Sequence, residues 1–224
     1  EEFRKEPVLG TKLWIIDHNF EYWKKADKIL TWLEKENKKN YVNAVAYHDN
    51  SSESPKVMEK LKALHPDIGL QCSEMSKFGV SGMYDIQQYF QYGSESYVYW
   101  VTMSTKDPKE HNQGPYNNLS NLCPPMLIEK SPDSAEWITT PEYYLIGQFS
   151  KFIRPGAMRI GCTPGDPKTV TAVAFQNIDH SIVVVLINQT EIAQSFILKV
   201  KKKKVSSIVP YKSMSTLIWY PDEN

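Results

Sequence analysis

The chain has 224 residues, 41% hydrophobic and 23% charged, with Lys+Arg and Asp+Glu both at 26 and a formal charge of zero. That length can bury the core of one large domain or two smaller ones, and the composition excludes wholesale disorder. A balanced charge sets up no long-range field toward nucleic acid or an anionic membrane, and no apolar stretch reaches the ~18 residues of a membrane span.

Residues 11–20 (TKLWIIDHNF) are β-rich and end polar. They run into EYWKKADKILTWLEK, where Tyr22, Ala26, Ile29, Leu30 and Leu33 share one helical face. YVNAVAYHDN is a second strand. Ser54 caps the helix expected next, which carries Val57, Met58, Leu61 and Leu64 as its stripe and has Pro66 beyond its end. IGLQCSE is a third strand. GMYDIQQYFQYG is a helix with Met83, Ile86, Tyr89 and Phe90 inward and Gly93 as its stop. SYVYWVTM is a fourth strand, and PEYYLIGQFSKFI a fourth helix after a long polar loop. Strand starts recur every 26 to 30 residues or so, the size of a βα unit, and four such units make a parallel sheet covered by helices. After residue 154 the pattern changes to strands without helices: AMRIGC, TVTAVAFQN, SIVVVLINQ, QSFILKV and MSTLIWY, with Asn177–His180 as a hairpin turn. This reads as an antiparallel sandwich with too few strands to close two sheets by itself. Lys201 to Lys204, between two strand-like segments, reads as a solvated hairpin.

Cys72, Cys123 and Cys162 are too few and too scattered for a disulfide framework or a zinc site. Sequons at Asn50, Asn118 and Asn188 nudge the reading toward a secretory or lysosomal protein. The chain opens Glu1-Glu2-Phe3-Arg4-Lys5-Glu6 without a signal-peptide pattern, and reads as the interior of a longer polypeptide.

In βα architectures the reacting groups sit at the carboxyl ends of the parallel strands. Here those ends are Asp17-His18-Asn19, His48-Asp49-Asn50, Ser73-Glu74 and Trp100 to Thr102, polar or aromatic where the strand bodies are apolar. Each has a plainer reading: a polar strand end meeting water, a carboxylate capping a turn, a histidine orienting its neighbour, a core tryptophan. Asp17-His18 and His48-Asp49 also have metal-ligand chemistry, although neighbours along a strand point to opposite faces, so each pair offers one member inward. The loop KDPKEHNQGPYNN is rich in amides suited to hydroxylated ligands, and long loops at strand ends are often functional.

Five stretches, WIIDHNFEYW, VAYHDNS, CSEMS, YVYWVTM with NQGPYNN, and YYLIGQFSKFIRPGAMRIG, resemble glycoside hydrolase family 30, most closely its glucosylceramidase group. The resemblance implies an α/β fold: the C-terminal half (strands 5–8) of a (β/α)8 TIM barrel over residues 1–153, followed by an antiparallel β-sandwich over 154–224. It implies retaining hydrolysis of a β-glucoside such as glucosylceramide, with Glu74 as nucleophile and His48, Trp100 and Asn117 binding the sugar. No metal or organic cofactor is required. The acid/base glutamate of the family lies in an Asn-Glu pair after the fourth strand, which this sequence does not contain. An N-terminal half-barrel chain or segment is therefore the expected partner, alongside a β-glucoside, with membrane contact through a lipid substrate and no nucleic acid. The implied location is lysosomal or secreted. An isolated half barrel exposes two strand edges and an open apolar core. The rival expectation is a non-catalytic carbohydrate- or partner-binding half barrel.

Overall fold

A computed structural model describes residues 11–48, 53–104, 124–131, 135–200 and 203–220. In chain order the first elements are β1 (Trp14–His18), α1 (Trp23–Lys35), β2 (Ala44–Tyr47), α2 (Val57–Leu64), β3 (Gly69–Met75), α3 (Gly79–Gln91) and β4 (Tyr97–Tyr99). Three short strands follow, β5 (Met103–Ser104), β6 (Leu127–Glu129) and β7 (Trp137–Thr139), and then α4 (Pro141–Ser150). The last six strands are β8 (Met158–Ile160), β9 (Thr171–Gln176), β10 (Ile182–Asn188), β11 (Gln194–Val200), β12 (Lys203–Val209) and β13 (Ser213–Trp219). Contacts divide the chain into two compact units: residues 1–75 with 92–98, and residues 76–91 with 99–224. The sequence places α3 and α4 with the barrel half; their contacts group them with the strands that follow.

The first unit holds a sheet ordered β1-β2-β3-β4, with β1–β2 and β2–β3 parallel. Helix α1 buries Ala26 and Leu30 and packs on α2, which buries Val57, Met58 and Leu61. Leu64, expected on that stripe, is instead 56% exposed at the last turn of α2. Ser54 closes the turn before α2, its hydroxyl accepting from the Lys56 N–H at 3.3 Å. Strand β2 is buried at every position. The described sheet does not close: β1 and β4 are its edges. Four strands in this order form an open sheet and not a closed barrel.

The second unit is layered around β10. Its sheet runs β13-β10-β9-β8, antiparallel in every pair. On one face α3 and α4 cover it: Phe90 stacks edge-on against Phe175, centroids 5.7 Å apart, and lies 5.6 Å from Phe149. On the other face Ala174, Val184 and Leu186 meet Val209, Phe196 and Leu198 of the β11–β12 hairpin. Covered on both sides, β10 reads as an unbroken apolar run (IVVVLIN) rather than an alternation. Beneath the hairpin an open cleft of ≈ 600 Å³ remains, lined by Ile160, Cys162, Ala172, Ile182 and Phe196 among others. A two-stranded second sheet leaves that space, as the strand count anticipates. Strand β12 escaped the sequence reading because its residues, KKVSSIV, are mostly polar and exposed. Lys203 and Lys204 lie in that strand and not in a turn; 201 and 202 fall outside the described residues. The fourth predicted strand also ends early, at Tyr99: Met103 starts β5, in a separate sheet ordered β5-β6-β7. No described helix is long and apolar enough to cross a membrane.

Candidate active site at the carboxyl ends of the parallel strands

Glu74 sits one residue before the end of β3, and His48 directly follows β2. The imidazole Nε2 of His48 stands 3.0 Å from Glu74 Oε1, with the side chains 34% and 35% exposed. A pair this open contributes little to stability, but its geometry can hold a carboxylate in one orientation while leaving it reachable. The backbone places both groups. Tyr47 and Cys72 are register partners in the parallel β2–β3 pair, so His48 emerges next to the Ser73-Glu74 peptide. The His48 N–H also donates to the carbonyl of His18, 3.2 Å away, tying the end of β2 to the end of β1.

Strand β1 ends irregularly. Its register against β2 slips between Ile16 and His18, and both Ile16 (φ 77) and Asp17 (φ 53) take left-handed backbone angles. That conformation is uncommon for aspartate and costly for a β-branched isoleucine, of order 1–3 kcal/mol. The bulge breaks the strict alternation that sequence reasoning assumed for Asp17-His18. Asp17 Oδ1 accepts a hydrogen bond from the Ser73 hydroxyl at 2.5 Å, and His18 stacks on Tyr22 with centroids 4.5 Å apart. His18 Nδ1 accepts from the Asn19 N–H at 2.8 Å.

Of the substrate-binding residues expected from the sequence, His48 joins Glu74. Trp100 belongs to the second unit: it is partly buried, the peptide to Val101 is cis, and its carbonyl accepts from the Ser76 hydroxyl at 3.3 Å. Asn117, Asp49 and the whole loop at 106–118 lie outside the described residues, as do the sequons at Asn50 and Asn118. Asn188, the third sequon, is fully buried. Among the described residues no three His, Cys, Asp or Glu side chains group to hold a metal ion. Asp17 engages the Ser73 hydroxyl and His48 engages Glu74. Buried Cys72 accepts from the Ser94 hydroxyl at 3.3 Å, and burial pushes the Cys162 thiol upward in pKa. Sequence reasoning missed Ser73 as a link to Asp17. Its only signal was the small hydroxyl beside Glu74, and the bulge that completes the contact depends on pairing between strands.

Residues 156–217 match the model of the glycosyl hydrolase family 30 beta sandwich domain. Over 176 residues, 73% of this chain and 33% of the relative, the sequence is 31% identical to "Putative glucosylceramidase 2" of Caenorhabditis elegans. The chain belongs to glycoside hydrolase family 30. Solved structures extend the family 30 likeness to the fold. SrfJ from Salmonella typhimurium matches with a TM-score of 0.82 at 19% identity, covering 99% of this chain and 50% of that one. An endo-beta1,6-glucanase gives 0.78 at 21%, over 95% and 50%. The catalytic domain of GH30 xylanase C from Talaromyces cellulolyticus gives 0.66 at 18%, over 96% and 53%. At these identities the likeness speaks for the fold alone. This family 30 chain spans 33% of the length of the curated relative and 50% of SrfJ.

Proposed function

We propose that this chain carries the nucleophile side of a retaining β-glucosidase acting on glucosylceramide-type β-glucosides. The observation that carries the reading is the Glu74–His48 pair at adjoining strand ends, 3.0 Å apart and open to solvent. In a retaining reaction the nucleophile attacks the anomeric carbon and forms a glycosyl ester. A second carboxyl, about 5 to 5.5 Å away, protonates the departing oxygen and then activates water. Glu74 is the nucleophile. His48 holds its carboxylate by a hydrogen bond, and Trp100 and Asn117 contact the sugar. The acid/base glutamate comes from residues outside this sequence, in an N-terminal half of the barrel whose strands precede four that count as 5–8. The domain division at residues 153 and 154, a lysosomal or secreted location, and membrane contact through a lipid aglycone belong to the same proposal. The names of the relatives support it in part: one is called a glucosylceramidase, while solved neighbours are called a glucanase and a xylanase. Choice of sugar therefore rests on the glucosylceramidase-like sequence.

An activated 2-deoxy-2-fluoro-β-glucoside tests the reading, because its good leaving group needs little acid help and its glycosyl ester is long-lived. Intact mass followed by peptide mapping should place one glycosyl adduct on Glu74. An unlabelled chain, or a label elsewhere, overturns the nucleophile assignment and favours the carbohydrate-binding half barrel.

A further inference from the structure

We infer that Asp17 is a positioning residue for Glu74, acting through the Ser73 hydroxyl; the inference rests on the reading of Glu74 as nucleophile. A serine hydroxyl has one hydrogen to give. Ser73 Oγ faces two acceptors, Asp17 Oδ1 at 2.5 Å and the Tyr47 carbonyl at 3.1 Å. The shorter, charge-assisted bond takes the proton. Asp17 therefore grips the residue immediately before Glu74, across the width of β2.

The backbone of β1 is shaped for this contact. Two consecutive left-handed residues and a register slip occur where the strand ends. Bulges at such places re-aim side chains, and here the re-aimed side chain is Asp17. Strain of this kind persists where surrounding contacts over-determine it. One such contact is made by the carbonyl of His18, next to the strained pair, which accepts from the His48 N–H at 3.2 Å. The end of β1 thus holds both members of the Glu74–His48 pair. It holds His48 through a main-chain bond and Glu74 through Asp17 and Ser73.

The experiment compares wild type with Asp17→Ala, Asp17→Asn, Ser73→Ala and the Asp17→Ala/Ser73→Ala double variant. Thermal melts establish that each is folded. Trapping by the 2-fluoro-glucoside, followed by intact mass over a range of reagent concentrations, separates the rate of ester formation from reagent affinity. Asp17→Ala and Ser73→Ala should each slow ester formation by about 10- to 100-fold with affinity changed little. The double variant should be no slower than either single one, since both remove one contact. Asp17→Asn should recover most of the rate, because asparagine tolerates a left-handed backbone and its carbonyl still accepts from Ser73. Additive losses, or rates unchanged despite lower melting temperatures, would overturn the inference. A second readout does not depend on sugar chemistry. Glu74→Gln should move the His48 ring resonances in NMR spectra of the wild-type background, and should move them much less alongside Asp17→Ala. Equal movement in both backgrounds also overturns the inference. An unlabelled wild type that keeps this coupling would remove the nucleophile reading and leave the positioning contact standing.

Discussion

Asn188 shows how far a residue's chemistry depends on where the fold puts it. Its side-chain nitrogen lies within hydrogen-bonding distance of the carbonyls of Ile192, Val209 and Pro210, at 2.8, 3.1 and 2.9 Å. Its oxygen accepts from the Thr190 N–H and hydroxyl at 2.9 and 2.7 Å. The triplet Asn188-Gln189-Thr190 matches a glycosylation sequon, yet in the folded chain it is a buried turn clamp. Peptide mapping of material made in a glycosylating host should find Asn188 unmodified. Asn188→Ala should lower unfolding free energy by about 2 to 4 kcal/mol, because it strands several buried polar groups; chemical denaturation measures it. Asp179 makes a related contribution at the surface. Its carboxyl is held below the usual range mainly by the Ser181 hydroxyl, then by the Ser181 N–H and by Arg154. A depressed folded value means the stabilisation is present at pH above the unfolded aspartate range and is lost as pH falls through the folded value. Melting temperatures of wild type and Asp179→Asn should therefore differ near neutrality and converge as the solution is acidified below the usual aspartate range.

At the scale of elements, α3 is set by both its packing and its start. Met83, Ile86, Gln87 and Tyr89 are buried along one stripe, and Gln87 Nε2 donates to the Val185 carbonyl of β10 at 3.1 Å. Glu142 of α4 accepts from the Gly79 N–H at 3.3 Å, serving one of the unpaired donors at the start of α3. Gly82 allows the chain before α3 to come close: a Cβ there would lie 2.6 Å from the Lys77 carbonyl carbon. Helix propensity alone favours Gly82→Ala by about 1 kcal/mol. Backbone cannot yield as a side-chain tip can, so the substitution should instead destabilise by about 1 to 3 kcal/mol in urea unfolding. A stabilised variant would show that this approach is loose. Three of the four helical stripes were legible because apolar residues at helical spacing report burial directly, as Ala26 and Leu30 in α1 do. Glu74 and His48 were legible as polar residues ending apolar strands. The Asp17–Ser73 contact was not, since a bulge is decided by pairing with β2. Nor were β5, β6 and β7, whose two- or three-residue lengths are too short for any periodicity.

The molecule as a whole combines well-covered layers with surfaces that nothing in the described residues covers. In the first unit, Leu13 and Trp14 at the edge strand β1 are 53% and 41% exposed. In the second, the register of β11 against β12 puts Ile197 opposite Ser206 and Ile208 opposite Ser195, so both isoleucines share the outer face of the hairpin. They are 66% and 61% exposed, with Lys199 opposite Lys204 the only charged pair along that face. A two-stranded sheet with an apolar outer face and unpaired edges is a template for association with another strand or another copy. Light scattering coupled to size exclusion should accordingly find this chain self-associating at micromolar concentration. Ile197→Lys with Ile208→Lys should shift it toward monomer without lowering its melting temperature, because neither side chain contributes to the cluster formed by Phe196, Leu198 and Val184. Edge strand β1 provides the control. Trp14→Lys acts on a different unit, so monomer recovered by that change alone would locate the sticky surface at the open sheet instead of the hairpin. The same surfaces bear on the proposed reaction: with Glu74 proposed as nucleophile, a second carboxyl is needed across the sugar, and on that reading an open sheet edge is where the strands carrying it would dock.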